Sequence, residues 1–335
     1  LRYHGDTLQV ADSLAVQFAT AKFMVNGLYT LQGEIDAKMQ FQTNRFDYFT
    51  QAIDYPRIYG EVLGSVDVNG TIDTTSIRSS MRFSNFGFKE FHFDTLITFL
   101  EMGNLQEFRD GDLFIQARNG VAWGKHIASA NLSAESVADS IIIHDMQFID
   151  GDDHLFLTGG LSRALEGQIN TLELKYKNVF IHNRTVLPFE VKQQMLNIAR
   201  GVIGINDGFV TISGAFQDED SLQTKVEFTN IDLAPLQKLV ADSLYMTGVL
   251  NGEIGYRKVA RKQAVQSNLE ITGVNWKNLH YRRIQILGDY YDGLVSLTKG
   301  YLESRNGGNL TISGQFPVYL EQIIEKDSLS LDPDT

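Results

Sequence analysis

The chain of 335 residues sets 29 Lys and Arg against 41 Asp and Glu, a formal charge of −12, with 43% apolar residues and no cysteine. The acidic balance argues against a nucleic-acid surface, which needs clustered basic residues. The missing cysteines exclude thiolate metal sites, thiol nucleophiles and disulfides, and the apolar content is too high for disorder. No apolar run approaches the ~20 residues of a bilayer-spanning helix. The sequence begins at Leu1 with no leader, so it reads as a piece of something longer, with any anchor outside it.

Abundant glycine (29), scarce proline (5) and many Phe and Tyr predict a chain built mainly from strands. Residues 1–26 are ambiguous, and the alanines of 12–24 favour a helix over the alternation Val16/Phe18. From Gly27 the strand pattern takes over. Ile35, Ala37, Met39 and Phe41 alternate with Asp36, Lys38 and Gln40, a strand with one wet face. Helices are expected at 46–52, at 188–201 (Glu190 near the start, Gly201 as terminator) and at 232–240, where Asp232 caps and Pro235 sits in the first turn. The tail 319–326 is a further helical candidate.

Internal repetition is the strongest signal. Displaced by 188 residues (248 − 60 = 188), Gly60 falls on Gly248 and Gly64 on Gly252. Val66/Val68 then fall on Ile254/Tyr256, Met81/Phe83 on Leu269/Ile271, Phe86/Phe88 on Val274/Trp276, and Phe91/Phe93 on Leu279/Tyr281. Lys89 meets Lys277 and His92 meets His280. Lys38-Met-Gln-Phe41 matches Lys225-Val-Glu-Phe228 with a one-residue shift. A closing motif, apolar–x–apolar–x–Gly–x–apolar, recurs at 154–161, 208–216 and 309–316, each time after an Asp or Gly turn. The pattern predicts antiparallel strands in two super-units, 27–160 and 161–317, followed by a tail at 318–335.

Three features resemble the AsmA/TamB family, the bacterial relatives of bridge-like lipid-transfer proteins. One is Asn230-Ile-Asp-Leu-Ala-Pro-Leu236 leading to Gly248-Val-Leu-Asn-Gly252. Another is the apolar pairs over 269–286, and the last is Leu-Thr-Ile-Ser-Gly-Gln-Phe-Pro at 310–317. The resemblance covers nearly all of 27–317. It departs from the family in lacking the N-terminal membrane helix and a recognisable C-terminal domain. It implies a long antiparallel β-sheet curled into a U-shaped groove, apolar inside and anchored in the inner membrane. Such a groove would carry phospholipid across the periplasm of a diderm bacterium, supporting outer-membrane biogenesis without enzymatic activity.

The implied partners are phospholipid acyl chains and an outer-membrane β-barrel assembly protein, with no cofactor and no nucleic acid. The groove candidates are Val66, Val68, Phe83, Phe86, Phe88, Phe91 and Phe93, with Ile254, Tyr256, Leu269, Ile271, Val274, Trp276, Leu279, Tyr281 and Ile284 in the second super-unit. The same alternation also fits the core of a closed sandwich, and the irregular spacing of the pairs leaves open which of them share a face.

Other chemistry finds little support in the residues. The seven histidines are scattered, with no zinc-ligand spacing. Asp150-Gly-Asp-Asp-His154 has the carboxylate density of a calcium loop without its length or terminal Glu, and Asp218–Ser221 reads as a hairpin tip. No nucleophile elbow or phosphate-cradling loop occurs. Two rival readings remain beside the lipid conduit: a scaffold that recruits a barrel partner by strand addition, and a carbohydrate-binding or carbohydrate-active β-solenoid.

Overall fold

The computed structural model describes residues 2–317 apart from 19, 53–55, 72, 108, 193–194, 218–220, 241–245, 260–261 and 277–278. Strand accounts for 83% of it, all antiparallel. The helical candidate at 319–326 and the acidic tip at 218–220 lie outside the described residues.

The chain divides into two compact units, Leu1–Arg163 with Ile169–Lys177, and Ala164–Gln168 with Asn178–Thr335. The first holds β1 (Arg2–His4), β2 (Thr7–Phe18), β3 (Ala21–Thr30), β4 (Glu34–Thr43), α1 (Asp47–Ala52), β5 (Ile58–Thr71), β6 (Thr74–Phe88), β7 (Phe91–Asn104), β8 (Arg109–Ala122), β9 (Lys125–Val137), β10 (Ser140–Asp150) and β11 (Asp153–Ser162). Each strand pairs with the next in a simple meander. Strand β12 (Glu166–Tyr176) follows.

The second unit continues with β13 (Val179–Asn183), β14 (Leu187–Lys192), β15 (Met195–Ile205), β16 (Gly208–Gln217), β17 (Ser221–Asp232), α2 (Leu233–Val240), β18 (Met246–Val259), β19 (Lys262–Trp276), β20 (Leu279–Tyr291), β21 (Leu294–Ser304) and β22 (Asn309–Pro317). From β15 onward it is again a meander.

Two of the expected helices become strands. Residues 188–192 and 195–201 lie in β14 and β15, paired Phe189 to Ile198 and Val191 to Leu196. The apolar spacing of this stretch fits either period. The neighbouring β16 decides, because residues 196–205 supply the partners for its backbone from Gly208 to Phe216. A helix there would leave that edge bare. Gly201 stops nothing and sits opposite Ile212. Residues 12–18 and 21–24 are likewise strand, in β2 and β3, with a bulge between Val10 and Leu14 where Ser13 takes φ +113°.

Helices α1 and α2 fall where expected. Asp232 Oδ1 accepts the Ala234 backbone N–H at 3.0 Å, the cap that starts α2. At α1 the Arg45 guanidinium donates to both carboxylate oxygens of buried Asp47, at 3.0 and 2.9 Å, and holds that carboxyl below the ordinary carboxylate range.

The repeat is built into the backbone. Strands β5 and β18 start 188 residues apart (246 − 58 = 188) and have the same length, as do β6 and β19 (262 − 74 = 188). Gly60 and Gly248 take φ +129° and +141°, which a side chain rarely tolerates. A Cβ on Gly60 would lie 2.9 Å from the Ser84 carbonyl, and one on Gly248 would lie 2.9 Å from that of Thr272, the equivalent residue. Asn85 and Gly273, also 188 apart, both turn left-handed, at φ +53° and +63°.

Candidate functional site

The left-handed residues resolve which apolar pairs share a face. Between Phe83 and Phe86 the spacing is three, which in a flat strand would send them to opposite sides. The bulge at Asn85 absorbs the extra residue. The rings of Phe83 and Phe86 then meet edge-on at 5.4 Å, and Phe86 also packs with Phe93 in the next cluster. Phe86 is paired with Phe93 and Phe88 with Phe91. In the second unit Gly273 makes the same step between Ile271 and Val274, with Val274 paired to Tyr281 and Trp276 to Leu279.

Registers then trace continuous rows across each unit. In the first unit one row reads Phe41, Gly64, Met81, Thr98, Ile115, Leu132, Met146, Leu157. Its neighbour reads Thr43, Val62, Phe83, Leu96, Ala117, Ala130, Phe148, Leu155. Val66 and Val68 continue this face beside Gly64. In the second unit the corresponding rows include Ile231, Leu250, Ile271, Ile284, Leu302, Leu310, and Phe228, Gly252, Leu269, Ile286, Gly300, Ile312. Ile254 and Tyr256 lie farther along the same side of β18. Away from the hairpin ends these rows carry no charge.

One residue aside, the picture inverts. The row Lys38, Asp67, Arg78, Glu101, Asp112, Glu135 crosses β4 to β9 on the opposite face, and every position is ionisable. Lys38 pairs with Asp67 at 3.2 Å, and Arg78 pairs with Glu101, whose carboxyl is lowered by that hydrogen bond. The sheet of each unit is therefore apolar on one side and polar on the other.

The structure assigns all sixteen candidate residues to the apolar face, seven in the first unit and nine in the second. Phe83, Phe93 and Val274 are buried, eleven are half-buried, and Trp276 and Leu279 are exposed at 44% and 51%. A closed sandwich would bury this face. Sequence reading missed its extension over β8–β11, through Ile115, Leu132, Met146 and Phe148. Bulges between Ile143 and Met146 break the alternation there and hide the signal.

Two depressions, of about 500 and 980 Å³, are lined mainly by polar-face residues of β4–β8 and of β15–β20 respectively. The acidic turn at 150–154 directs two of its three carboxylates to protein partners. Asp150 bonds His126 at 2.7 Å, and Asp153 accepts the Lys177 backbone N–H at 2.6 Å. Among the described residues, no group of three or more His, Asp or Glu is placed to hold a metal ion, and no helix is long and apolar enough to cross a membrane. No family model, curated protein or solved structure matches this chain.

Proposed function

We propose that the charge-free face holds the acyl chains of lipids, and that the protein is a non-enzymatic conduit for them. The single observation that carries this reading is the pair of apolar faces, one per unit, left half-exposed where a globular core would be covered. Each CH₂ of an acyl chain costs about 0.8 kcal/mol to expose, so a sixteen-carbon chain crossing water faces on the order of 10 kcal/mol. An apolar face with no charge along its rows lowers that barrier without chemistry. The phospholipid cargo, the curled groove, the periplasmic setting and the outer-membrane destination rest on the family resemblance.

Native mass spectrometry of protein purified without detergent tests the proposal. Co-purifying phospholipid that is lost in Phe88→Glu and in Trp276→Glu is the expected result. A lipid-free wild-type protein would sink it.

One observation favours strand addition as a second reading. Among the described residues β22 pairs only with β21, every one of its residues is exposed, and Asn309–Pro317 carries no charge. Unprotected edges of this kind accept further strands. Photo-crosslinkers at Thr311 and Ser313 should then capture a β-barrel assembly subunit, and their failure to do so would remove this reading.

A further inference from the structure

The polar face of the second unit holds a cleft that lipid binding does not use. It measures about 980 Å³ and spans β15 to β20. Its floor is made of small residues. Gly255 stands between Lys225 and Gln266 across three paired strands, and Ala264 lies opposite Arg257. A Cβ on Gly255 would meet nothing within 4 Å.

Around that floor, polar side chains are left without partners. Elsewhere on the same face they pair. Glu270 takes Arg283 at 2.7 Å and Gln285 at 2.6 Å, Lys299 donates to Gln285 at 3.0 Å, and Arg282 meets Glu303 at 3.2 Å. At the cleft, Asn197, Gln223, Arg257, Gln266, Asn268 and Asp289 have no side-chain partner among the described residues. They come from five different strands. Lys225 is engaged, 2.8 Å from both Glu227 and Glu253, and the Ser267 hydroxyl donates to the Gly288 carbonyl at 3.1 Å.

The chemistry of this lining narrows the ligand. Four amides each offer two donors and an acceptor, the complement of hydroxyl groups that both give and take. The charges cancel: Lys225 and Arg257 are offset by Glu253 and Asp289. A phosphate or a polyanion therefore finds no net attraction. Leu287, exposed beside Asn268, gives the C–H face of a sugar ring something to lie on. We infer that this cleft binds a neutral oligosaccharide, on the face opposite the lipid-holding one and independently of it.

The test uses the whole protein and a panel of maltohexaose, cellohexaose and chitohexaose, read by calorimetry and by the side-chain NH₂ resonances of Gln223, Gln266 and Asn268. At least one sugar should bind and shift those resonances. Gly255→Val fills the floor without strain, so it should weaken binding by at least about tenfold while the fold is kept. Gln266→Ala combined with Asn268→Ala should weaken it as well, and Phe88→Glu on the other face should not. Absence of binding by all three sugars, or binding that survives Gly255→Val, overturns the inference.

Discussion

Two glycines seven residues apart in β18 have opposite roles, and substituting each tests the backbone on which the repeat rests. Gly248 takes φ +141°, and a Cβ there would stand 2.9 Å from the Thr272 carbonyl and 3.0 Å from Ile271 Cγ2. Forcing alanine into that backbone region costs about 1–3 kcal/mol, and relieving the contacts costs about 1 kcal/mol more, so Gly248→Ala should destabilise β18 and β19 by roughly 2–4 kcal/mol. Gly255 meets nothing, and valine there gains the strand preference that glycine lacks, about 0.5–1 kcal/mol. Hydrogen exchange read peptide by peptide separates the two. Amides of β18 and β19 should exchange roughly 30- to 1000-fold faster in Gly248→Ala, and no faster than wild type in Gly255→Val. Gly60→Ala should reproduce the first result in β5 and β6. Unchanged protection in both Gly248→Ala and Gly60→Ala would show that neither close approach exists, and the structural equivalence of the units would lose its support.

Other outcomes follow from single residues. Phe83 is buried against Phe46 and Phe86, so Phe83→Ala should cost about 3–5 kcal/mol, measured as a fall in the denaturant midpoint. Met81 and Arg82 are adjacent in β6 but face opposite sides. Met81→Glu should abolish lipid retention in native mass spectrometry and Arg82→Glu should leave it intact, and equal effects would contradict the register. Asp47 is held below its ordinary pKa by Arg45, so its stabilisation is present above the unfolded value, near about 3.9, and is lost as pH falls through the lower folded value. Exchange protection of α1 should therefore drop in acid in the wild type. In Asp47→Asn it should already be low at neutral pH and vary less.

Much of this was legible in the sequence because the signal was periodic and doubled. Apolar residues two apart gave the strands, and the 188-residue displacement gave the equivalence of β5 with β18 and of β6 with β19. The capping chemistry of Asp232 and Pro235 marked α2 without any partner's help. What could not be read was the phase across irregular spacings. Whether Phe86 joins Phe83 depends on one residue, Asn85, accepting φ +53°, and asparagine merely permits that conformation. The segment 188–201 failed for a different reason. Its apolar positions fit a helix as well as a strand, and the choice belonged to pairing with the backbone of the next strand, β16, which lies outside the segment. The polar cleft was invisible because unpartnered amides in β15, β17 and β19 converge only through register.

The comparison of equivalent positions also bears on whether the apolar face is a packed interior or a surface for something else. Phe83 becomes Ile271, Phe86 becomes Val274, and Phe88 becomes Trp276. The first two changes remove volume and the third adds it. In a close-packed interior such exchanges cost stability unless facing residues compensate, because cores tolerate little change in shape. Here the backbone that carries them keeps the same strand lengths, the left-handed residue at 85 and 273 and the positive-φ glycine at 60 and 248. What persists between the units is the exclusion of charge from one face and its concentration on the other. A face held to a chemical rule but not to a shape suits a fluid occupant such as an acyl chain better than a fixed set of opposing side chains.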